Sequence, residues 1–262
     1  MSSIVLAVAV VAGIGLAAGV LLAVAAVVMH VQADERVEQL TAALPGVNCG
    51  ACGYSGCERY AEAIVSGAAT NLCAPGGGGA AKALAEIMGV EAQPVLPRKA
   101  FVRCNGTRAN CGQRFEYRGG QSCAAASLFY GGQKACNDAC LGFGDCARVC
   151  PHGAIEIADG IARIDASKCV GCALCAMECP KRVIVMTEAM GKALNRCRSE
   201  APGAAARKQC TAACTGCGLC VKACPEGAVA IENNLARVDQ KKCVGCGLCV
   251  SKCPAGCLDI RF

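Results

Sequence analysis

Cys169-Val-Gly-Cys172-Ala-Leu-Cys175-Ala-Met-Glu-Cys179-Pro180 gathers four thiols into one short run, and the pattern returns 74 residues later as Cys243-Val-Gly-Cys246-Gly-Leu-Cys249-Val-Ser-Lys-Cys253-Pro254. C-x2-C-x2-C-x3-C-P is the spacing of [4Fe–4S] ligands: three thiolates of one tight loop bind three irons, and the Cys before Pro ligates a neighbouring cluster. The chemistry of such a set is one-electron transfer, which asks no side chain to act as acid, base or nucleophile. Each run has an upstream partner. Cys214-Thr-Gly-Cys217-Gly-Leu-Cys220-Val-Lys-Ala-Cys224-Pro225 completes the second pair, and a looser Cys136-x3-Cys140-x5-Cys146-x3-Cys150-Pro151 opens the first.

The crossed rule groups Cys136, Cys140 and Cys146 with Cys179, and Cys169, Cys172 and Cys175 with Cys150. It groups Cys214, Cys217 and Cys220 with Cys253, and Cys243, Cys246 and Cys249 with Cys224. Cys210 stays open as an alternative to Cys214. Paired C-x2-C knuckles also bind zinc, but four thiols this close suit a tetrahedral zinc site poorly. Disulfides are the other alternative, and adjacent C-x2-C thiols do not pair readily.

A different pattern lies upstream. Asn48-Cys49-Gly-Ala-Cys52-Gly-Tyr-Ser-Gly-Cys57 is followed by Cys73. Its glycines let the backbone wrap a cluster and aim N–H groups at sulfur. A helix over 58–66 separates the third thiol from the fourth. Four Cys without His suit iron–sulfur or zinc, and the downstream motifs favour iron. Five clusters, about 20 thiolates at four each, leave Cys104, Cys111, Cys123, Cys197, Cys210 and Cys257 of the 26 Cys as buried or spare thiols. A sixth cluster from these stays open, since no subset has a recognised spacing.

The elements that must hold these loops repeat with them. Pro151-His-Gly-Ala-Ile-Glu-Ile precedes Ala162-Arg-Ile-Asp165, and Pro225-Glu-Gly-Ala-Val-Ala-Ile precedes Ala236-Arg-Val-Asp239, again 74 residues apart. Short hairpins are expected at 154–157 with 161–164 and at 229–231 with 236–238. The fold class is α+β: an N-terminal transmembrane helix, a small four-Cys domain and two tandem ferredoxin-like modules. The expected boundaries are 1–30 anchor, 31–93 four-Cys domain, 94–135 linker or unassigned segment, 136–187 module 1, 188–209 helical or flexible connector, and 210–262 module 2. A short amphipathic helix over 30–44 joins anchor to first site, a Gly76–Gly79 breaker precedes a helix over 80–88, and His152 is expected in solvent.

Ile4 to Met29 contains no charged residue. As a helix it spans roughly 39 Å, more than the ~30 Å hydrocarbon core. It lacks the positive n-region of a signal peptide and is too long for one, so a single membrane anchor is expected. Gly13, Gly15 and Gly19 give it a small-residue face for packing against other membrane helices. With no Trp and 3% aromatic residues, a conventional core is thin, and the clusters act as internal staples. The formal charge of +6 counts Cys as neutral. Five loaded clusters at about −2 each would bring it to about −4, so apparent basicity does not imply nucleic-acid binding. Lys181, Arg182, Arg207, Lys208, Lys222, Lys241 and Lys242 crowd the cluster loops, as counter-charge or as a rim for an acidic redox partner.

The order of anchor, N-C-G-x-C-G-Y-x-G-C with a distant fourth Cys, and tandem ferredoxin modules resembles the B subunits of the Rnf electron-transport complexes. Ala135-Cys136 through Leu141-Gly-Phe-Gly-Asp145-Cys146 carries the same resemblance. It implies a complex coupling electron transfer between ferredoxin and NAD+ to Na+ or H+ transport, with this chain as the ferredoxin-facing relay. Implied partners are soluble ferredoxin, membrane lipid and the A, C, D, E and G subunits. The implied location is the plasma or inner membrane, single-pass, iron–sulfur domains on the cytoplasmic side. Nicotinamide and flavin chemistry would belong to other subunits. An iron–sulfur chain feeding another membrane oxidoreductase, such as a hydrogenase or reductase, is the alternative.

Overall fold

A computed structural model describes residues 2–28, 34–188 and 191–260. Helix α1 (Ser2–Val28) has neither an acidic first turn nor a basic last turn. Its stretch Ile4–Ala25 is the one helix among the described residues long and apolar enough to cross a membrane, and none of it is buried against the rest of the chain. Met29 and residues 30–33, where the expected anchor ends and the amphipathic helix begins, lie outside the described residues.

Three helices build the first small unit: α2 (Glu35–Ala43), α3 (Cys57–Val65) and α4 (Gly77–Met88). Asp34 caps α2 by accepting from the Arg36 N–H at 3.0 Å, satisfying a donor that the first turn leaves free. Gly89, at φ 66°, stops α4 in the left-handed conformation a C-terminal glycine favours. Leu40, Leu44, Tyr60, Ala61, Ile64 and Leu84 bury a core around Cys73.

The remainder is two copies of one plan. Copy one runs β1 (Lys99–Val102), α5 (Cys123–Ser127), α6 (Asp145–Arg148), β2 (Ile155–Ala158), β3 (Ile161–Ile164), α7 (Leu174–Glu178) and β4 (Ile184–Thr187). Copy two runs β5 (Leu194–Asn195), α8 (Gly203–Gln209), α9 (Leu219–Lys222), β6 (Val229–Glu232), β7 (Leu235–Val238), α10 (Leu248–Ser251) and β8 (Leu258–Asp259). The hairpins β2–β3 and β6–β7 stand where the sequence predicts them. Their two-residue turns, Asp159-Gly160 and Asn233-Asn234, are left-handed at both positions, the geometry that matches strand twist.

Residues 94–135 are more than a linker. β1 pairs antiparallel with β4, Val102 opposite Ile184, and Arg103 N–H donates to the Val183 carbonyl at 2.7 Å. The connector repeats the device: β5 pairs with β8, Asn195 opposite Leu258, and Arg196 N–H donates to the Cys257 carbonyl at 2.7 Å. Each copy is thus closed by a strand that precedes its cysteines. A four-residue Lys-Ala-Phe-Val segment has too little periodicity to announce this; its burial comes from a partner at the far end of the module. Between the hairpins the core is thin, and apart from Ile161, Val183 and Leu235 its most buried members include many thiols and alanines.

Candidate metal centres

Each three-thiol loop turns on a pair of left-handed residues that flank its middle Cys. They are Gly171 and Ala173 about Cys172, Gly216 and Gly218 about Cys217, and Gly245 and Gly247 about Cys246. The bend brings backbone N–H groups and three sulfurs onto one concave side. The second sulfur layer repeats too. Ala154 N–H donates to Cys150 Sγ at 3.4 Å and Ala228 to Cys224 at 3.3 Å; Ala162 donates to Cys140 and Ala236 to Cys214, both at 3.4 Å. Such N–H···S bonds orient thiolate ligands and tune a bound cluster.

The repetition also bears on the register of the looser loop. Cys140, not Cys136, is the counterpart of Cys214, because both accept from the N–H of the second residue in the hairpin's second strand. Gly142 and Gly144, at φ 78° and 85°, then flank Phe143 as Gly216 and Gly218 flank Cys217. The loop keeps its shape but lacks its middle thiol. Cys123, which the motif spacing leaves out, lies there: backbone N–H groups of Asp145, Phe143 and Gly144 donate to its sulfur. Asp145, 3% exposed, holds it in place, its carboxylate accepting from the Cys123 and Ala124 N–H groups and the Ser122 hydroxyl at 2.9–3.0 Å. The strict 74-residue offset, which aligns Cys140 with Cys214 and puts Phe143 opposite Cys217, signals the missing middle thiol but not that Cys123 stands there.

Burial, then the neighbouring Cys140, Cys123 and Cys179, pushes the Cys146 thiol up to about 12. Burial with Cys169, Cys172 and Cys150 does the same to Cys175. Thiols so crowded repel one another as thiolates, and cationic iron among them removes the penalty. Cys150, Cys169, Cys172 and Cys175 line a cavity of about 20 Å3, and Cys214, Cys217, Cys220 and Cys253 line another of the same size. Cys257 stands beside the latter, its sulfur 3.4 Å from that of Cys253. Among the described residues no three such ligands converge on a single ion; the thiols surround cavities instead, an arrangement that fits a polynuclear cluster.

In the three-helix unit, the Asn48 side chain accepts from Cys57 N–H at 2.8 Å and so fixes the start of α3 against the Cys49–Cys52 loop. Tyr60 ties down the approach to Cys73, donating to the Ala69 carbonyl at 2.7 Å and accepting from Leu72 N–H at 3.1 Å. Burial raises the Cys73 thiol, and Gly76 N–H donates to it. Ala51 and Cys52 face Gly171 and Ala173 across a groove, and Cys49 is a charge neighbour of Cys172.

Of the remaining thiols, Cys104, Cys111, Cys197 and Cys210 line, together with Cys136, a further cavity between the two copies.

Glycine-flanked thiol loops on tandem hairpin modules define an iron–sulfur electron carrier of the dicluster ferredoxin class. Residues 134–183, 168–229 and 207–254 match families described as "4Fe-4S dicluster domain", and residues 44–75 match one described as "Putative Fe-S cluster". The B subunit of the Na(+)-translocating ferredoxin:NAD(+) oxidoreductase complex of Acetobacterium woodii is 44% identical over 87% of this chain and 69% of its own. Its proton-translocating counterpart in Clostridium ljungdahlii is 40% identical over 92% and 86%. The corresponding B subunit of the ion-translocating oxidoreductase complex of Methanosarcina acetivorans is 36% identical over 92% and 93%. The chain belongs to this family, the B subunits of Rnf-type ion-translocating oxidoreductase complexes.

Proposed function

We propose that this chain is the membrane-anchored relay that carries electrons between soluble ferredoxin and the A, C, D, E and G subunits of an Rnf-type ferredoxin:NAD+ oxidoreductase. Five ligand sets serve it: Cys49, Cys52, Cys57 and Cys73; Cys150, Cys169, Cys172 and Cys175; Cys123, Cys140, Cys146 and Cys179; Cys214, Cys217, Cys220 and Cys253; and Cys224, Cys243, Cys246 and Cys249. Cys123 thus takes the place that spacing gives to Cys136. When bound, [4Fe–4S] clusters supply one-electron transfer. The chain's own residues bend the loops, aim N–H groups at sulfur and exclude water.

The observation that carries this reading is the succession of thiol sets through space. Cys49 neighbours Cys172, and Cys175 neighbours Cys146, so the set that follows α1 in sequence abuts the first module. At the other end Cys217 and Cys246 are exposed, where a soluble partner reaches them. The chain spans the plasma or inner membrane once, through α1, with its thiol domains on the cytoplasmic side, where cofactors are loaded.

Cys49→Ala in the assembled complex tests the path. Ferredoxin-driven NAD+ reduction should be lost while both ferredoxin modules of the purified chain stay loaded with iron. Full turnover in that variant would overturn the path, and zinc in place of iron in the parent chain would overturn electron transfer itself.

A further inference from the structure

Five cysteines outside the ligand sets above meet at the seam between the two copies. Cys104 follows β1 by two residues, as Cys197 follows β5. The pairs match in their bonds as well. Gly106 and Cys140 N–H donate to Cys104 Sγ at 3.4 and 3.3 Å; Ser199 and Cys214 N–H donate to Cys197. Cys136 accepts from Asp138 N–H and Cys210 from Ala212 N–H. Four thiols, two from each repeat, therefore each accept from the N–H two residues ahead, an arrangement that turns a cysteine knuckle toward a metal.

These four line a cavity of about 20 Å3, the size of the two cavities lined by the dicluster-motif sets. Each is at most 9% exposed. The surroundings are cationic. Lys134 is 4% exposed, and its ammonium donates to the carbonyls of Gly106 and Gly160 at 2.6 and 2.8 Å. Arg103, Arg196 and Arg198 line the cavity against one carboxylate, Asp138. A buried ammonium held by carbonyls calls for nearby negative charge, and a thiolate-ligated cluster at about −2 supplies it.

We propose that Cys104, Cys136, Cys197 and Cys210 form an additional [4Fe–4S]-binding site that joins the two ferredoxin modules. Cys111, whose thiol is hydrogen-bonded to that of Cys210, is the fifth thiol and is left out of the ligand set. The site is bonded to both neighbours: Cys104 accepts from the backbone of Cys140 and Cys197 from that of Cys214, and these two residues open the flanking ligand loops. It thus stands between the last set of one module and the first set of the other. The proposal rests on the relay reading and adds to it the link that neither repeat contains alone.

Iron and acid-labile sulfide are measured on the anaerobically purified full chain, with EPR after dithionite reduction. The parent should carry about 24 of each per chain. The Cys104→Ala/Cys197→Ala variant should lose about four of each, roughly one-sixth, while the Cys111→Ala and Cys257→Ala variants keep the parent content. A parent with about 20 iron, matched by the double variant, would overturn the seam site and leave the relay intact. A parent with no iron would instead overturn the relay. Should the double variant not fold, the parent count decides. Loss of four iron from Cys111→Ala would overturn the ligand assignment.

Discussion

Phe143 is the residue at which the repeat is broken. It stands between two left-handed glycines where the sister loop has Cys217, and Cys123 reaches the gap from a separate short helix. Cys123→Ala should therefore remove up to about four iron from the set shared with Cys140, Cys146 and Cys179. Adding Phe143→Cys should restore them, because the loop already has the bend a ligand needs. Iron content and EPR of the single and double variants check this; a double variant no better loaded than Cys123→Ala would sink the assignment. Tyr60 makes a second prediction. Tyr60→Phe leaves the Leu72 N–H and the Ala69 carbonyl without their partner and should cost about 1–3 kcal/mol. Burial pushes the hydroxyl from its ordinary 10.0 up to about 12. A raised folded-state value favours the neutral form, so this contribution is complete below pH 10 and fades as pH climbs toward 12. Denaturation midpoints of parent and variant should differ at pH 8 and converge across that window. The motif thiols and their cluster type were legible because the chemistry fixes their spacing. Cys123 was not, since its partners lie in another segment and only the fold brings them together.

The short elements act as clamps on the loops. Gly171 shows how closely they fit: at φ 78°, a Cβ there would lie 2.3 Å from the Arg98 carbonyl oxygen, in the segment that leads into β1. Gly171→Ala should add roughly 1–3 kcal/mol of backbone strain and also push Arg98 away. Iron of the Cys150, Cys169, Cys172 and Cys175 set should fall, with a lower thermal midpoint. Gly153 has similar φ, 56°, but open space around it, so Gly153→Ala should cost only the strain and keep its iron. Equal effects from the two would mean that β1 does not brace the loop. The hairpins β2–β3 and β6–β7 were legible from alternation between turn residues. Strands β1 and β5 were not: they are two to four residues long and owe their existence to partners at the opposite end of each module.

Across the whole molecule, the thiol sets run from the unit that follows α1 along the chain to the exposed Cys217 and Cys246 loops. Lys241 and Lys242 are exposed next to the last of these. A soluble acidic carrier approaching there would be steered by them. Lys241→Glu/Lys242→Glu should slow reduction by an acidic ferredoxin about tenfold at low salt. The difference should shrink as ionic strength rises and the screening length falls to a few ångströms. Stopped-flow rates across a salt series test this; a salt-independent deficit would place docking elsewhere.

By itself, the sequence determined the cofactor class, the tandem repeat and the apolar N-terminal segment, because ligand spacing, self-similarity and absence of charge are local properties of the chain. Only the tertiary structure decided which thiols share a cavity. Cys104 and Cys197 follow strands that pair with distant segments, and Cys123 is held by Asp145 from another segment; a cluster site is defined by where sulfurs converge in space rather than by their order along the chain.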